Sequence, residues 1–316
     1  MNKKCLFSAP HSFLKNYKKE FNSIIKTYFK EIWNKNALKF SEDITCWIVN
    51  PGQNFIIDNK VLSFFPNLEV IITPSTGKNH IDENKCLKKN INVYGLLDNR
   101  KLLNTITASS EFTFLLILNS LRRLDFALNE VNNRRWRENE DDLRGYELNG
   151  RTIGIVGLGR IGSNIARWSK QFGANVIFYD PYSDNKNYKS VSLKNIFTLS
   201  DIVCISCILS EETFNFINYK LLKNMKKNSV LINTSRGEVI NENDLLKLLN
   251  ERKDIFVSLD VLSGEVNNTH LSSPLISLHK EGRIVITPHI SGATIDSQIK
   301  AARGAYQILN KYYEFK

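Results

Sequence analysis

The sequence predicts an α/β protein built on parallel sheets, and three observations carry that prediction. From about residue 150 onward, six short apolar runs alternate with helix-length amphipathic segments, the pattern of strands joined by crossover helices. The first of these runs leads directly into a glycine-rich turn at the mouth of a helix. Residues 1–100 hold apolar runs of their own, also separated by helical patterns, so a second and smaller α/β domain is expected.

In chain order, residues 1–40 carry nine lysines against two glutamates, interspersed with apolar residues as in FNSIIKTYFKEIW, and read as the solvated side of an amphipathic helix. The runs CWIVN at 46–50 and VIIT at 70–73 are the clearest strands of the first region. Thr107 to Asn132 has no Gly or Pro and predicts one long helix that carries the chain between domains. The charged and aromatic stretch 132–150 predicts a loop or short-helix excursion at a subunit contact. The later strands are expected at Thr152 to Val156, Val176 to Tyr179, Ile202 to Ser206, Val230 to Ile232, Phe256 to Leu259 and Ile284 to Thr287, enough for a doubly wound sheet.

Composition narrows the function classes. At 316 residues and 42% hydrophobic content, the chain is long enough for two cored domains and too apolar for disorder. Its longest unbroken apolar stretch, Phe114 to Leu118, is far short of the roughly 20 residues that a membrane span needs, so no membrane association is expected. The N-terminus lacks an apolar core of secretory length, which points to the cytoplasm. Five scattered cysteines fit a reducing compartment. Cys204 and Cys207 form a C-x-x-C within an apparent buried strand, where alternation sends them to opposite faces, so neither a redox nor a metal role is expected. The net charge of +11 comes without a basic and aromatic platform, zinc finger or helix-turn-helix signal, and no nucleic-acid partner is expected.

Residues 150–162 read GRTIGIVGLGRIG, placing Gly157, Gly159 and Gly162 in G-x-G-x-x-G after an apolar strand. Gly157 permits the tight turn, Gly159 lets the backbone approach a pyrophosphate, and Gly162 allows close helix-to-strand packing. The next strand ends at Asp180 in FYDP, where an acidic side chain accepts from ribose hydroxyls and repels an added phosphate. A capping Asp before Pro181 would explain that residue alone but not its place after the glycines. The prediction is NAD rather than NADP.

Ligands of an open α/β sheet lie outside the carboxyl ends of the strands, so polar residues that follow apolar runs are the candidates. Arg236 follows VLINTS, Glu265 follows VSLDVLSG and His289 follows IVITP. Singly they read as a salt-bridge partner, a solvated loop residue and a strand-end histidine. Jointly they suit transfer of a hydride and a proton at a hydroxyl or carbonyl carbon. His289 would exchange the proton, Glu265 would orient the imidazole and favour its protonated form, and Arg236 would hold a carboxylate and the reacting oxygen in its planar fork. Of the other histidines, His80 is left as a residue of the substrate-binding region.

These residues resemble the D-isomer-specific 2-hydroxyacid dehydrogenase family. The likeness runs over nearly the whole chain, through TPSTGKNHID at 73–82, SSEFTFLLIL at 109–118, GRTIGIVGLGRIG at 150–162, FYDP at 178–181, NTSRG at 233–237, DVLSGE at 260–265 and TPHISGAT at 287–294. It implies two Rossmann-like domains, an NAD domain (101–289) inserted into a flavodoxin-like substrate domain (1–100 and 290–316). It implies Arg236, Glu265 and His289 as the catalytic set and backbone amides of Ser75, Thr76 and Gly77 on the substrate carboxylate. Cofactor contacts carried over are Arg160 and Ile161 beside the pyrophosphate, Asp180 at the ribose, and Thr234 and Asp260 near the nicotinamide. It further implies a homodimer and a small 2-hydroxy or 2-oxo acid substrate of the phosphoglycerate, glycerate or hydroxypyruvate type.

Ser206 and Ile208 depart from the His-x-Pro that often ends one strand in this family, altering the wall beside the nicotinamide or adenine ribose. No C-terminal regulatory domain is expected. Two alternatives stand beside the dehydrogenase reading: an NAD-sensing binding protein of the same fold, and a phosphite- or phosphonate-type dehydrogenase.

Overall fold

The computed structural model describes residues 3–14, 17–138 and 140–314. They form two compact units. The first comprises Met1–Ile106, Glu265–Asn268 and Ala293–Lys316, and the second Thr107–Gly264 and Thr269–Gly292. The chain therefore leaves the first unit, builds the second and returns.

The first unit is a five-stranded sheet in the order β2-β1-β3-β4-β5, with β1 Lys4–Phe7, β2 Lys26–Phe29, β3 Ile44–Ile48, β4 Val70–Thr73 and β5 Asn92–Gly95. All its pairings are parallel, and the order is that of flavodoxin-like sheets. Alternation along β3 sends Trp47 to one core and Cys46 and Ile48 to the other. The second of these cores is closed by Ala302, Ala305, Ile308 and Leu309 of the helix Ile295–Glu314, which returns the end of the chain to the first sheet.

The lysine-rich N-terminal segment is not a single amphipathic helix. The helix Tyr17–Ile24 stops, and KTYF forms edge strand β2 beside β1. The side chain of Asn22 ends the helix by accepting from the amide of Thr27 at 2.9 Å. Thr27, Tyr28 and Phe29 are β-branched or aromatic and suit a pleated edge, and Lys26 and Lys30 flank it with charge.

The second unit is a seven-stranded parallel sheet, β12-β11-β10-β9-β6-β7-β8, with β6 Thr152–Val156, β7 Asn175–Tyr179, β8 Lys189–Ser190, β9 Ile202–Ile205, β10 Val230–Asn233, β11 Phe256–Leu259 and β12 Val285–Ile286. Its order reverses at β6, the switch point of a doubly wound sheet. Both faces are covered. Ile155, Cys204 and Ile232 join the helices Ala108–Arg122 and Arg160–Gln171 on one side, and Val156, Val203 and Leu231 join the helix Glu242–Glu251 on the other. Burial on both faces is why these strands read as continuous apolar runs.

The single helix expected over Thr107 to Asn132 is two, Ala108–Arg122 and Leu124–Asn132, broken at Arg123 with φ 50°. The left-handed turn is held by tertiary contacts. The Arg123 guanidinium stacks 4.6 Å from the Phe126 ring and 5.5 Å from Phe256, and Nη1 donates to the carbonyl of Asp142 at 2.6 Å. In the stretch 132–150 a short helix forms at Glu140–Leu143, while residue 139 lies outside the described residues.

Candidate active site

Register decides which residues share an edge. Tyr179 is paired with Val156, Val156 with Ile205, Ile205 with Asn233, Asn233 with Leu259 and Leu259 with Ile286. The next residue on each strand is therefore in one row at the carboxyl edge of the second sheet: Asp180, Gly157, Ser206, Thr234, Asp260 and Thr287. Loops from this row carry Arg236 and His289.

Gly157 has φ 90°, a conformation that favours glycine, and a Cβ there would lie 2.7 Å from the backbone of Cys207. At Gly162 a Cβ would lie 2.1 Å from the carbonyl of Gly157. Gly159 differs, since a Cβ there would meet no atom within 4 Å. Packing among the described residues does not require glycine at 159, and the open space beside it would admit a ligand. Gly159 caps the helix Arg160–Gln171, and the amides of Gly159, Ile161 and Gly162 donate to no acceptor among the described residues, as the first turn of a helix leaves them. These amides fit a pyrophosphate. Burial lowers the pKa of the Arg160 guanidinium below its ordinary value. The Asp180 carboxylate accepts from the amides of Leu158 at 2.8 Å and Tyr182 at 2.9 Å, one on each oxygen, which leaves lone pairs for ribose hydroxyls.

Ser206 takes up a position against this turn. Its hydroxyl donates to the carbonyl of Gly157 at 2.7 Å, whereas Ile208 stands 79% exposed. Cys204 lies in one face's core and Cys207 packs against the other; both are free thiols pushed up to about 12 by burial, which makes them poor nucleophiles.

Arg236 is placed by Asn233, the buried last residue of β10. The Asn233 side chain accepts from the amide of Ser235 at 3.0 Å and donates to the carbonyl of Arg236 at 2.9 Å, while Arg236 Nη1 donates to the carbonyl of Ser235 at 2.6 Å. Thr234, also buried, shares a 2.6 Å hydrogen bond with Thr113 of the helix Ala108–Arg122. The following Gly237 passes the 262–263 backbone so closely that a Cβ would lie 2.0 Å from the carbonyl carbon of Leu262. Two carboxylates tie the loops together, Glu238 accepting from the amide of Gly264 at 3.0 Å and Glu242 from that of Ser263 at 2.6 Å.

His289 adopts φ 53°, unusual for a residue with a Cβ. Asp260 holds it there. The fully buried Asp260 carboxylate accepts from Thr287 Oγ1 at 2.6 Å, the amide of Ile290 at 2.9 Å and that of Ser291 at 2.8 Å, and its carbonyl accepts from the His289 amide at 2.8 Å. Asp260, expected near the nicotinamide, thus spends its oxygens on the loop that bears the imidazole. The third member of the predicted set, Glu265, is half-buried and belongs to the first unit.

In the first unit the loop after β4 carries Ser75, Thr76 and Gly77. The carbonyls of Ser75 and Gly77 are bonded, to the Leu96 amide at 2.9 Å and the Ser75 hydroxyl at 2.8 Å, as is that of the following Lys78, to the Ile81 amide at 2.8 Å. The amides of Ser75, Thr76 and Gly77 donate to no acceptor among the described residues. Sequence reasoning missed the holding roles of Asn233 and Asp260; the signal for Asn233 was an Asn two residues before a Ser, the pattern of an Asx turn.

Two variants separate packing from ligand approach. Gly159→Ala should leave thermal stability within about 0.5 kcal/mol while raising the NADH dissociation constant about tenfold or more, whereas Gly162→Ala should cost about 1–3 kcal/mol, read by denaturation and fluorescence titration. Asp260→Asn leaves an amide facing two backbone N–H donors in a buried place. It should lower the stability of the second unit by about 1–3 kcal/mol in urea unfolding.

Residues 114–291 match the family described as D-isomer specific 2-hydroxyacid dehydrogenase, NAD binding domain. The chain is 36% identical over 257 residues to a glyoxylate reductase of Thermofilum pendens, spanning 78% of this chain and 72% of that protein. It is 35% identical to the human glyoxylate reductase/hydroxypyruvate reductase over 75% of this chain and 72% of that one. Its fold is similar to that of the D-lactate dehydrogenase from Aquifex aeolicus complexed with NAD and lactic acid, with a TM-score of 0.82 and 23% identity over 99% of this chain and 96% of that one. The chain belongs to the D-isomer-specific 2-hydroxyacid dehydrogenase family and is an NAD-dependent oxidoreductase of 2-hydroxy acids.

Proposed function

We propose that the protein reduces small 2-oxo acids, glyoxylate and hydroxypyruvate first among them. The observation that carries this reading is the Ser75–Gly77 loop, in which the carbonyls of Ser75 and Gly77 are bonded while the three amides donate to no acceptor among the described residues. Such a loop binds an anion through neutral dipoles at short range, which suits a carboxylate with little beyond it. Relatives named glyoxylate reductase and glyoxylate reductase/hydroxypyruvate reductase support the same substrate class.

In this reading the first unit is the substrate domain, and the second holds the cofactor through Gly157, Gly159, Arg160, Ile161, Gly162 and Asp180, with Thr234 in the row beside them. Bound NADH supplies the hydride. Arg236 fixes the substrate's carboxylate and polarises its carbonyl oxygen, and His289 delivers the proton to that oxygen as it gains charge. Glu265 is the carboxylate that this reading assigns to orient the imidazole. Asp260 acts one step removed, by fixing the backbone that bears His289. No helix among the described residues is long and apolar enough to cross a membrane, and with five free cysteines we place the protein in the cytoplasm.

We also propose a homodimer joined through the second unit. Leu124, Leu128 and Val131 on one helix, with Trp136 beyond it, are between 48% and 71% exposed, an apolar display that a second copy of the chain would cover. Leu128→Asp should give a monomer in analytical ultracentrifugation where the unaltered protein sediments as a dimer; unchanged sedimentation would place the contact elsewhere.

The substrate assignment is checked by following NADH consumption with glyoxylate, hydroxypyruvate, pyruvate, 3-phosphohydroxypyruvate and longer 2-oxo acids. Glyoxylate or hydroxypyruvate should show the highest kcat/KM, and a preference for the phosphorylated acid would overturn the choice. Arg236→Lys should lose about 100-fold or more in kcat/KM, because an ammonium cannot reproduce the bidentate fork. His289→Ala should abolish turnover while leaving NADH binding intact in fluorescence titration.

A further inference from the structure

We propose that buried His80 is a positioning residue that sets the proton polarity of a hydrogen-bond chain beneath the Ser75–Gly77 loop, and so holds that loop in its anion-binding form. The inference rests on the reading of the loop as the carboxylate cradle. His80 is 3% exposed and Thr73 is fully buried. Thr73 Oγ1 lies 3.2 Å from His80 Nε2 and 2.8 Å from Ser75 Oγ, and Ser75 Oγ donates to the carbonyl of Gly77 at 2.8 Å.

Each hydroxyl has one proton, and that fixes the order. The Ser75 proton is committed to Gly77, so Thr73 must donate to Ser75. The Thr73 proton is then spent, and His80 must donate to Thr73 from Nε2. The chain runs His80 to Thr73 to Ser75 to the Gly77 carbonyl, with every hydrogen bond satisfied.

The opposite polarity has a definite cost to the loop. With the imidazole proton on Nδ1 alone, Nε2 accepts from Thr73, Thr73 accepts from Ser75, and the Gly77 carbonyl loses its donor. The Gly77–Lys78 peptide is then held only by its neighbours, and the Gly77 amide, across a single glycine α-carbon from it, loses part of what fixes its direction. The loop is already anchored at its start, where the Ser75 carbonyl is bound to the Leu96 amide at 2.9 Å and a Cβ on Gly95 would lie 3.0 Å from that same oxygen. The Gly77 carbonyl is therefore the point at which the chain acts.

The test has a spectroscopic arm and a kinetic arm. Long-range ¹H–¹⁵N correlation spectra of the unaltered protein should show the His80 proton on Nε2; a ring protonated only on Nδ1 would overturn the proposal. His80→Leu and Thr73→Val should each raise KM for glyoxylate about five- to tenfold, with kcat and the NADH dissociation constant little changed, as loss of one ground-state contact predicts. His80→Gln, which restores a donor at the Nε2 position, and Thr73→Ser should return KM close to the starting value. The double variant His80→Leu, Thr73→Val should be no worse than either single one, since both cut the same chain. Unchanged KM in both single variants, or a loss confined to NADH affinity, would overturn the proposal. A protein that reduces no 2-oxo acid would instead remove the substrate reading, and the tautomer measurement would still decide the polarity of the chain.

Discussion

The buried Asp260 carboxylate is the contact on which the catalytic edge of the second unit depends. It sits at the end of β11 and binds the hydroxyl and amides of a loop that follows β12. Burying a carboxylate costs several kcal/mol unless its lone pairs are satisfied, and here the satisfying donors come from the loop itself. A left-handed backbone at His289 costs about 1–3 kcal/mol, which three hydrogen bonds to a charged acceptor offset. The two costs support each other: without the loop the acid is unsolvated, and without the acid the histidine relaxes to an ordinary conformation. The side chain proposed to transfer a proton is thereby placed by a group that need not touch the substrate.

The same division recurs along the row of strand ends. Asn233 holds the backbone of Arg236 through its amide, and Glu238 and Glu242 fasten the loop beyond β11. Parallel register brings Asp180, Gly157, Thr234 and Asp260 into line, because each is the first residue past its strand. The sheet supplies position, and short polar side chains at its edge supply direction.

What the sequence revealed follows from this division. Strands buried on both faces, such as Ile153 to Val156 and Ile202 to Ile205, print as apolar runs and were legible, as were glycines whose side-chain-free geometry has a spacing signature. Two of the edge strands were not, although β12 was. β2, KTYF, lies in a lysine-rich stretch that resembles a helix face, and β8 is two polar residues paired to β7. The break at Arg123 has no Gly or Pro to announce it, since cation–π stacking on Phe126 and Phe256 stabilises the turn from outside the local sequence. Arg236 and His289 could be picked out as polar residues after apolar runs. The acid and amide that hold them looked like ordinary strand ends, because their work depends on partners 30 residues away or on backbone groups that carry no residue identity.

Both of the anion sites proposed for the chain draw on backbone amides more than on its positive charge. The net charge of +11 draws heavily on lysines of residues 1–40, yet the amides of Ser75–Gly77 in one unit and of Gly159, Ile161 and Gly162 in the other are among those that donate to no acceptor among the described residues. Neutral dipoles of fixed direction select an anion by shape and fall off quickly with distance, whereas a lysine attracts any anion over about a Debye length. A loop of amides is selective only while its carbonyls are anchored, because a peptide free to rotate presents oxygen as readily as N–H. In the helix the anchoring comes from the first turn itself, as the Gly159 carbonyl accepts from Ser163 at 2.8 Å. In the short loop after β4 no helix exists to do this, and side chains must take its place. Ser75 and the residues beneath it perform for that loop what helical hydrogen bonding performs for the glycine turn.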